Sequence, residues 1–261
     1  MEPRALAMGR PPAQRVLGAC ILESHLLAGM LRSQNIAARV RAGYFQNIMT
    51  NPAVTLPFWV GVAEAKDAQP ELRKADPAGW KREIDEFTGK QIAADHHIEH
   101  WVCEFREGNG GDWQLLDACT DFLKAHSGIE VPFRIPQRYF EPAFAAWQKM
   151  RADSHFDPEL YAEDPLDGRS HIRFQLLSDF FSLLNHDVAG QAEPSSGTEA
   201  FIQRRKFPEL ETRELEELDQ LGILLSRNAS VDTLVEFYRS TTTLRRKAAE
   251  QDPYSFLYVA T

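Results

Sequence analysis

The segment IEHWVCEFREGNGGDWQLLDA, Ile98 to Ala118, decides how this chain folds. Two runs rich in strand formers, Ile98–Phe105 and Trp113–Ala118, flank Gly108-Asn109-Gly110-Gly111, the kind of turn that reverses a chain. The segment predicts a β-hairpin. If its loop spans Arg106 to Gly111, Phe105 faces Asp112, and the ladder runs back through Cys103 opposite Gln114 and Trp101 opposite Leu116 to His100 opposite Asp117. Directly opposed residues share a face, with Cβ atoms about 4.5–5.5 Å apart. His100 and Asp117 are then expected to touch, while Trp101, Cys103 and Phe105 turn to the other face and a core. A one-residue slip would separate the pair.

Working outward, Cys20 to Ser33 predicts a helix. Leu22, Leu26, Gly29 and Met30, with Leu27 and Leu31 beside them, fall at helical spacing and make a wide apolar face. Ile36 to Phe45 alternates Val40, Ala42 and Tyr44 with Arg39, Arg41 and Gly43, which predicts a strand with one buried face. Gln46 to Asp95 is long and uneven, broken by Pro52, Pro57, Pro70 and Pro77, with a short helical segment near Trp80 to Phe87. A loop of that length inside a compact domain is usually functional or disordered, and this one is expected to border the site. After Asp121 the pattern turns helical, over Pro136–Arg151, Ser170–Asn185, Arg213–Arg227 and Val231–Glu250, with Ala189–Thr198 as a linker. The expectation is an α+β fold, with a core over 1–135 and a mainly helical region over 136–261 packed on it.

The chemistry starts at Cys20. A thiol in the first turn of a helix meets partial positive charge and free backbone N–H groups, which stabilise a thiolate and can receive an oxyanion. Taken alone, cysteine is more simply a small buried hydrophobe, His100 a satisfied strand histidine and Asp117 a turn cap. Together they make the set that nucleophilic catalysis needs: a thiol, a base, and a carboxylate that orients the base. A competing cluster, Asp95, His96, His97, Glu99, His100 and Cys103, offers metal-ligand types. Its HxxxH spacing aligns two histidines only on a helix, and the following alternation reads as strand. Cys103 is expected in the core. Cys119, on the face of Asp117, either lines the pocket or fills space.

Several motifs resemble the transglutaminase-like superfamily, in a bacterial branch. Gly18-Ala19-Cys20, Leu26 to Arg32, Asn35 to Val40 and Gly43-Tyr44 look like its nucleophile helix running into a "GIPARV…GY"-type strand. His100 to Phe105 is similar to its "HAWVEV"-type strand, and Trp113 to Ala118 to its "W…VDA"-type strand. The likeness spans about residues 15–121. It implies a papain-like core in which Cys20 is the nucleophile, His100 the base and acid, and Asp117 the orienting carboxylate. It also implies cysteine-dependent acyl transfer or hydrolysis on a peptide, amide or acyl-thioester substrate, with no metal or organic cofactor. The family includes cross-linking acyltransferases, peptidases and inactive members. A binding module, or a biosynthetic acyltransferase using a carrier-bound thioester, is the alternative. Ile21-Leu22-Glu23 departs from the polar pair that commonly follows the family's cysteine.

Composition bounds the rest. A formal net charge of −9 argues against a general nucleic-acid binder, and the short basic runs at Arg204–Lys206 and Arg245–Lys247 sit in acidic helical sequence. Three cysteines form neither a CxxC pair nor a disulfide framework, so a reducing, cytoplasmic setting is expected. Nowhere do about 18 apolar residues run together, so no membrane partner is expected. The first residues lack the apolar run of a signal peptide.

Overall fold

A computed structural model describes residues 20–46, 78–79, 82, 96–108, 110–120, 124, 133–162, 166–185 and 210–241. The expected helix near Trp80, most of the 46–95 segment and the 189–198 linker lie outside the described residues. The elements are α1 (Cys20–Ser33), β1 (Ala37–Gln46), β2 (His97–Arg106), β3 (Gln114–Leu116), β4 (Arg134–Ile135), β5 (Phe140–Pro142), α2 (Ala143–Ala152), α3 (Gly168–Leu183), α4 (Thr212–Ser226) and α5 (Val231–Ser240). The fold is α+β. Its sheet is antiparallel throughout, in the order β4-β3-β2-β1-β5.

β1 and β2 form the spine, paired from Ala37 opposite Arg106 to Gln46 opposite His97. The side-chain alternation splits the buried residues into two groups. Ala38, Val40, Ala42 and Tyr44 of β1 join Trp101, Cys103 and Phe105 of β2 in the large core with Ile21 and Ala28 of α1, Trp147 of α2 and the apolar residues of α3. The other face carries a small cluster of Phe45, Val102, Leu115, Ile135 and Phe140. The buried core runs across the expected boundary at residue 135, because β5 is an edge strand on β1 and α2 and α3 pack against β1.

Local sequence explains the helix ends. α1 stops where Ile36 N–H bonds back to the Leu31 carbonyl, with Asn35 left-handed at φ 60°, a conformation asparagine tolerates. Asp167 and Ser230 cap α3 and α5 by accepting from Ser170 N–H (2.9 Å) and Thr233 N–H (3.2 Å). The expected helix over 136–151 begins only at Ala143. Pro142 has no N–H and pushes Glu141 into extended backbone, so the residues before it form a 3₁₀ turn and β5.

Three further expectations need correction. α1 buries Ile21, Ser24 and Ala28, while Leu22, Leu26 and Met30 are exposed. The small residues win because they let the helix lie close to the strand, where the Ser24 hydroxyl donates to the Trp101 carbonyl at 3.0 Å. β1 is buried on both faces, since Arg41 is claimed by Asp179 of α3. The hairpin register is also shifted: Phe105 pairs with Gln114 and Cys103 with Leu116, so the loop takes in Asp112 and Trp113 as well. Trp113 is drawn off the ladder by two guanidiniums, Arg39 at 4.0 Å and Arg106 at 4.9 Å from its ring centre. The shift is two residues, so every side chain keeps its face.

Gly43 lies opposite His100 on β1 and opposite Pro142 on β5. A Cβ there would stand 2.3 Å from the Glu141 carbonyl oxygen and 2.7 Å from the Phe140 ring. Gly43→Ala is expected to destabilise the fold by about 1–3 kcal/mol through this overpacking. An unchanged urea midpoint would show that β5 can move aside.

Candidate active site

Asp117 follows the last residue of β3, and its main chain is pinned by a 2.9 Å hydrogen bond from its N–H to the Phe133 carbonyl. Extending the observed register by one step places it across from Val102. His100 is therefore its diagonal neighbour rather than its direct partner, as the expected register had it. Diagonal neighbours on one face remain within reach of longer side chains. The His100 Nε2–H donates to Asp117 Oδ2 at 3.1 Å, with both side chains buried. The other oxygen, Oδ1, accepts the Cys119 N–H at 2.7 Å. Asp117 thus gives one oxygen to its own turn and the other to the imidazole, which fixes its orientation.

Two more contacts hold the ring. Its face stacks on Phe45 with centroids 4.0 Å apart and planes 21° apart, and Phe45 in turn meets Phe140 edge-on at 6.2 Å. Its second contact is a hydrogen bond with the Cys20 thiol. With Nε2 committed to Asp117, Nδ1 is the nitrogen left for the sulfur. Burial opposes a charge on this ring, but the hydrogen bonds to Asp117 and Cys20 and their negative charges outweigh it and raise the His100 pKa to about 10. The structure therefore brings the three residues singled out in the sequence into one linked set.

Cys20 opens α1 and is half-buried. The first turn of a helix has N–H groups without intrahelical acceptors, and Cys20 is the first residue of that turn. The other two cysteines differ in kind. Cys103 is fully buried on the opposite face of β2, and burial pushes its thiol up to about 12. Cys119 is buried too, and its thiol donates to Glu23 Oε2 at 2.7 Å. Burial, that bond and the nearby charges of Asp117 and Cys20 push its pKa far above the ordinary thiol range. Cys103 and Cys119 are held as neutral thiols. Only Cys20 combines exposure with a cationic partner.

The rival cluster around residues 96–103 disperses. His97 stacks on Tyr161 at 4.0 Å and pairs with Glu141 at 3.4 Å. Glu99 accepts from Trp101 Nε1 and pairs with His171 Nε2, each at 3.1 Å. His96 is buried beside His97 and His171, and burial foremost pushes its pKa down to about 4. These groups brace β2 against α3 and the 3₁₀ turn at Pro158–Tyr161, and Asp95 lies outside the described residues. Among the described residues, His100, Asp117 and Cys119 form the group whose possible ligand atoms all lie within 4.8 Å of one another.

Sequence reasoning left Cys119 open between lining the pocket and filling space, and it missed the contributions of Phe45 and Glu23. Phe45 was legible as the residue beside Gly43-Tyr44 on the strand, but its stacking needs the β1–β2 register. The signal for Glu23 was its departure from the polar pair found after the cysteine in similar sequences. No family model matches the chain, and neither a curated protein nor a solved structure matches it.

Proposed function

We propose that this protein is a cysteine-dependent acyl-transfer enzyme with a papain-like, transglutaminase-like arrangement, in which Cys20, His100 and Asp117 act as nucleophile, acid–base and orienting carboxylate. The observation that carries this reading is the buried imidazole of His100, held between the Asp117 carboxylate and a half-exposed thiol at the start of a helix. The Cys20 thiolate attacks the carbonyl carbon of an amide or thioester, and helix N–H groups receive the negative oxygen. The C–N or C–S bond breaks, and the His100 imidazolium gives its proton to the leaving group. Water or an amine then attacks the acyl-enzyme as His100 takes its proton, which releases acid or transamidated product and restores the thiol. Every proton moves through one ring, so no metal or cofactor is required.

Substrates of this chemistry are peptides, amides or acyl thioesters, and a thiol nucleophile suits a reducing compartment. Among the described residues no helix is long and apolar enough to cross a membrane.

Alkylation by iodoacetamide, followed by peptide mass spectrometry, tests the reading. Cys20 is expected to react while Cys103 and Cys119 stay unmodified in the folded protein. His100→Ala is expected to slow the Cys20 reaction at pH 6 by about tenfold or more, because the imidazolium partner is lost. In turnover of a peptide p-nitroanilide, whose amine leaves only when protonated, the rate should fall as pH climbs through about 10, where His100 surrenders its proton. A Cys20 that reacts no faster than Cys103, or one indifferent to His100→Ala, would overturn the assignment and favour a binding module on the same scaffold.

A further inference from the structure

We propose that Glu23 and Cys119 are positioning residues of the acyl-transfer site: the Cys119 thiol fastens the turn that carries Asp117 to the first turn of α1, and so holds the His100–Asp117 pair in one frame with Cys20. The role rests on the acyl-transfer reading and adds two residues that its chemistry does not consume. A chain of hydrogen bonds that passes through Cys119 twice supports it. The Cys119 thiol donates to Glu23 Oε2 at 2.7 Å, and its backbone N–H donates to Asp117 Oδ1, also at 2.7 Å. Asp117 Oδ2 then accepts from His100 Nε2–H at 3.1 Å. The carboxylate that orients the imidazole is thus itself oriented by a residue bonded to the nucleophile's helix.

Helix geometry makes that bond matter to Cys20. Cys20, Glu23 and Ser24 stand at i, i+3 and i+4 in α1, and residues at that spacing share one face. Glu23 and Ser24 anchor this face at two points. The Ser24 hydroxyl donates to the Trp101 carbonyl at 3.0 Å, one residue along β2 from His100. Glu23 receives the thiol of the residue two places past Asp117. The helix that opens with Cys20 is therefore tied once to each strand segment that supplies a partner of the site. A single tie would leave α1 able to pivot about it, and two fix its first turn. Ser24, Asp117 and Cys119 are buried, so water competes little for these bonds. More simply, Cys119 would fill space and Glu23 would be an acid suited to the positive end of a helix. Neither of those roles requires the thiol and the carboxylate to meet. A space-filler also tolerates loss of its donor, and a helix-end acid tolerates loss of one methylene, whereas the tie tolerates neither.

Iodoacetamide alkylation of the full chain at pH 6, read by peptide mass spectrometry, tests the tie. Cys119→Ala is expected to slow alkylation of Cys20 by about tenfold or more, since a misplacement on the order of 1 Å at a site costs that much. Cys103 staying unmodified in the same sample reports that the variant is folded. Cys119→Ser keeps a donor and is expected to recover most of the loss. Glu23→Gln keeps the length and an acceptor oxygen without the charge, and should lose less than about threefold, whereas Glu23→Asp keeps the charge one methylene short and should lose as much as Cys119→Ala. Because the tie acts through His100, Cys119→Ala combined with His100→Ala should slow Cys20 no more than His100→Ala alone, which a general loosening of the fold would not give. In turnover of a peptide p-nitroanilide, Cys119→Ala should lower kcat by about 10–100-fold with KM within about twofold, because the tie holds the reacting groups and not the substrate. Cys20 in Cys119→Ala reacting as it does in the parent, full additivity with His100→Ala, or Glu23→Asp reacting like the parent while Glu23→Gln does not, each overturns the positioning role and leaves the acyl-transfer reading standing. A parent Cys20 that alkylates no faster than Cys103 sinks that reading and the positioning role with it, so the parent protein alone tells the two failures apart.

Discussion

Replacing Asp117 by Asn is expected to leave the chain folded and to lower turnover of a p-nitrophenyl ester by about a thousandfold or more. The expectation comes from counting acceptors. Asp117 is fully buried, and its two oxygens meet two donors, the Cys119 N–H at 2.7 Å and the His100 Nε2–H at 3.1 Å. Asn has one carbonyl oxygen. If that oxygen stays on the Cys119 N–H, the side-chain NH₂ faces Nε2, which must then accept. The imidazole proton moves to Nδ1, the nitrogen that faces Cys20, and the ring can no longer take a proton from the thiol. If the amide flips to satisfy His100, a buried N–H is left against an NH₂ group, at about 1–3 kcal/mol. Either arrangement removes the base or strains the turn that positions it. Asp117→Asn with turnover within a few-fold of the parent would mean that His100 is oriented by Phe45 and Cys20 alone, and that Asp117 serves only its turn.

That count of acceptors could not have been made from the sequence, although most of its elements could. The helix at Cys20–Ser33 was legible because Leu22, Leu26, Leu27, Met30 and Leu31 recur at helical spacing along it. β1, β2 and β3 were legible from alternation and the glycine turn, whereas β4 and β5 were not, and face is the robust quantity in a strand: a register shift of two residues left His100 and Asp117 on one side. The register itself depended on Trp113, whose ring is held by arginines from β1 and β2, a tertiary choice with no local signature. The packing face of α1 was misread for a related reason. Hydrophobic periodicity ranks leucines above Ser24 and Ala28, but close approach to a strand favours the small residues. Glu23 and Phe45 belong to the site through distances across the chain, and one-dimensional spacing carries neither.

Arg41 shows the same limit, and its partner is the position where a single change should harm the fold most. Asp179→Ala is expected to destabilise the protein by about 3–5 kcal/mol, a large share of the roughly 5–15 kcal/mol that holds a domain together. Alternation on β1 placed Arg41 on a polar face, yet its side chain is 2% exposed and that of Asp179 0%. The guanidinium meets the carboxylate with two parallel bonds, Nε to Oδ1 and Nη2 to Oδ2, both 2.8 Å, and Ala42 N–H adds a third at 2.9 Å. A third guanidinium nitrogen, Nη1, reaches Glu104 at 3.1 Å, which also binds Arg39 at 2.6 Å. Burial opposes the charge on Arg41, and Asp179 and Glu104 reverse the balance so that its pKa is raised. Arginine cannot shed its proton, so removal of Asp179 leaves a charge and an N–H in the core with only the shared Glu104 to answer them. If this is the cause, a double change to apolar residues, Arg41→Met with Asp179→Leu, should recover most of the loss in urea denaturation, since no charge is then stranded. Loss of under 1 kcal/mol in Asp179→Ala would show that water reaches the pair. A double variant no better than the single would show that the pair's geometry, rather than its charge balance, anchors α3 on the strand carrying Gly43 opposite His100.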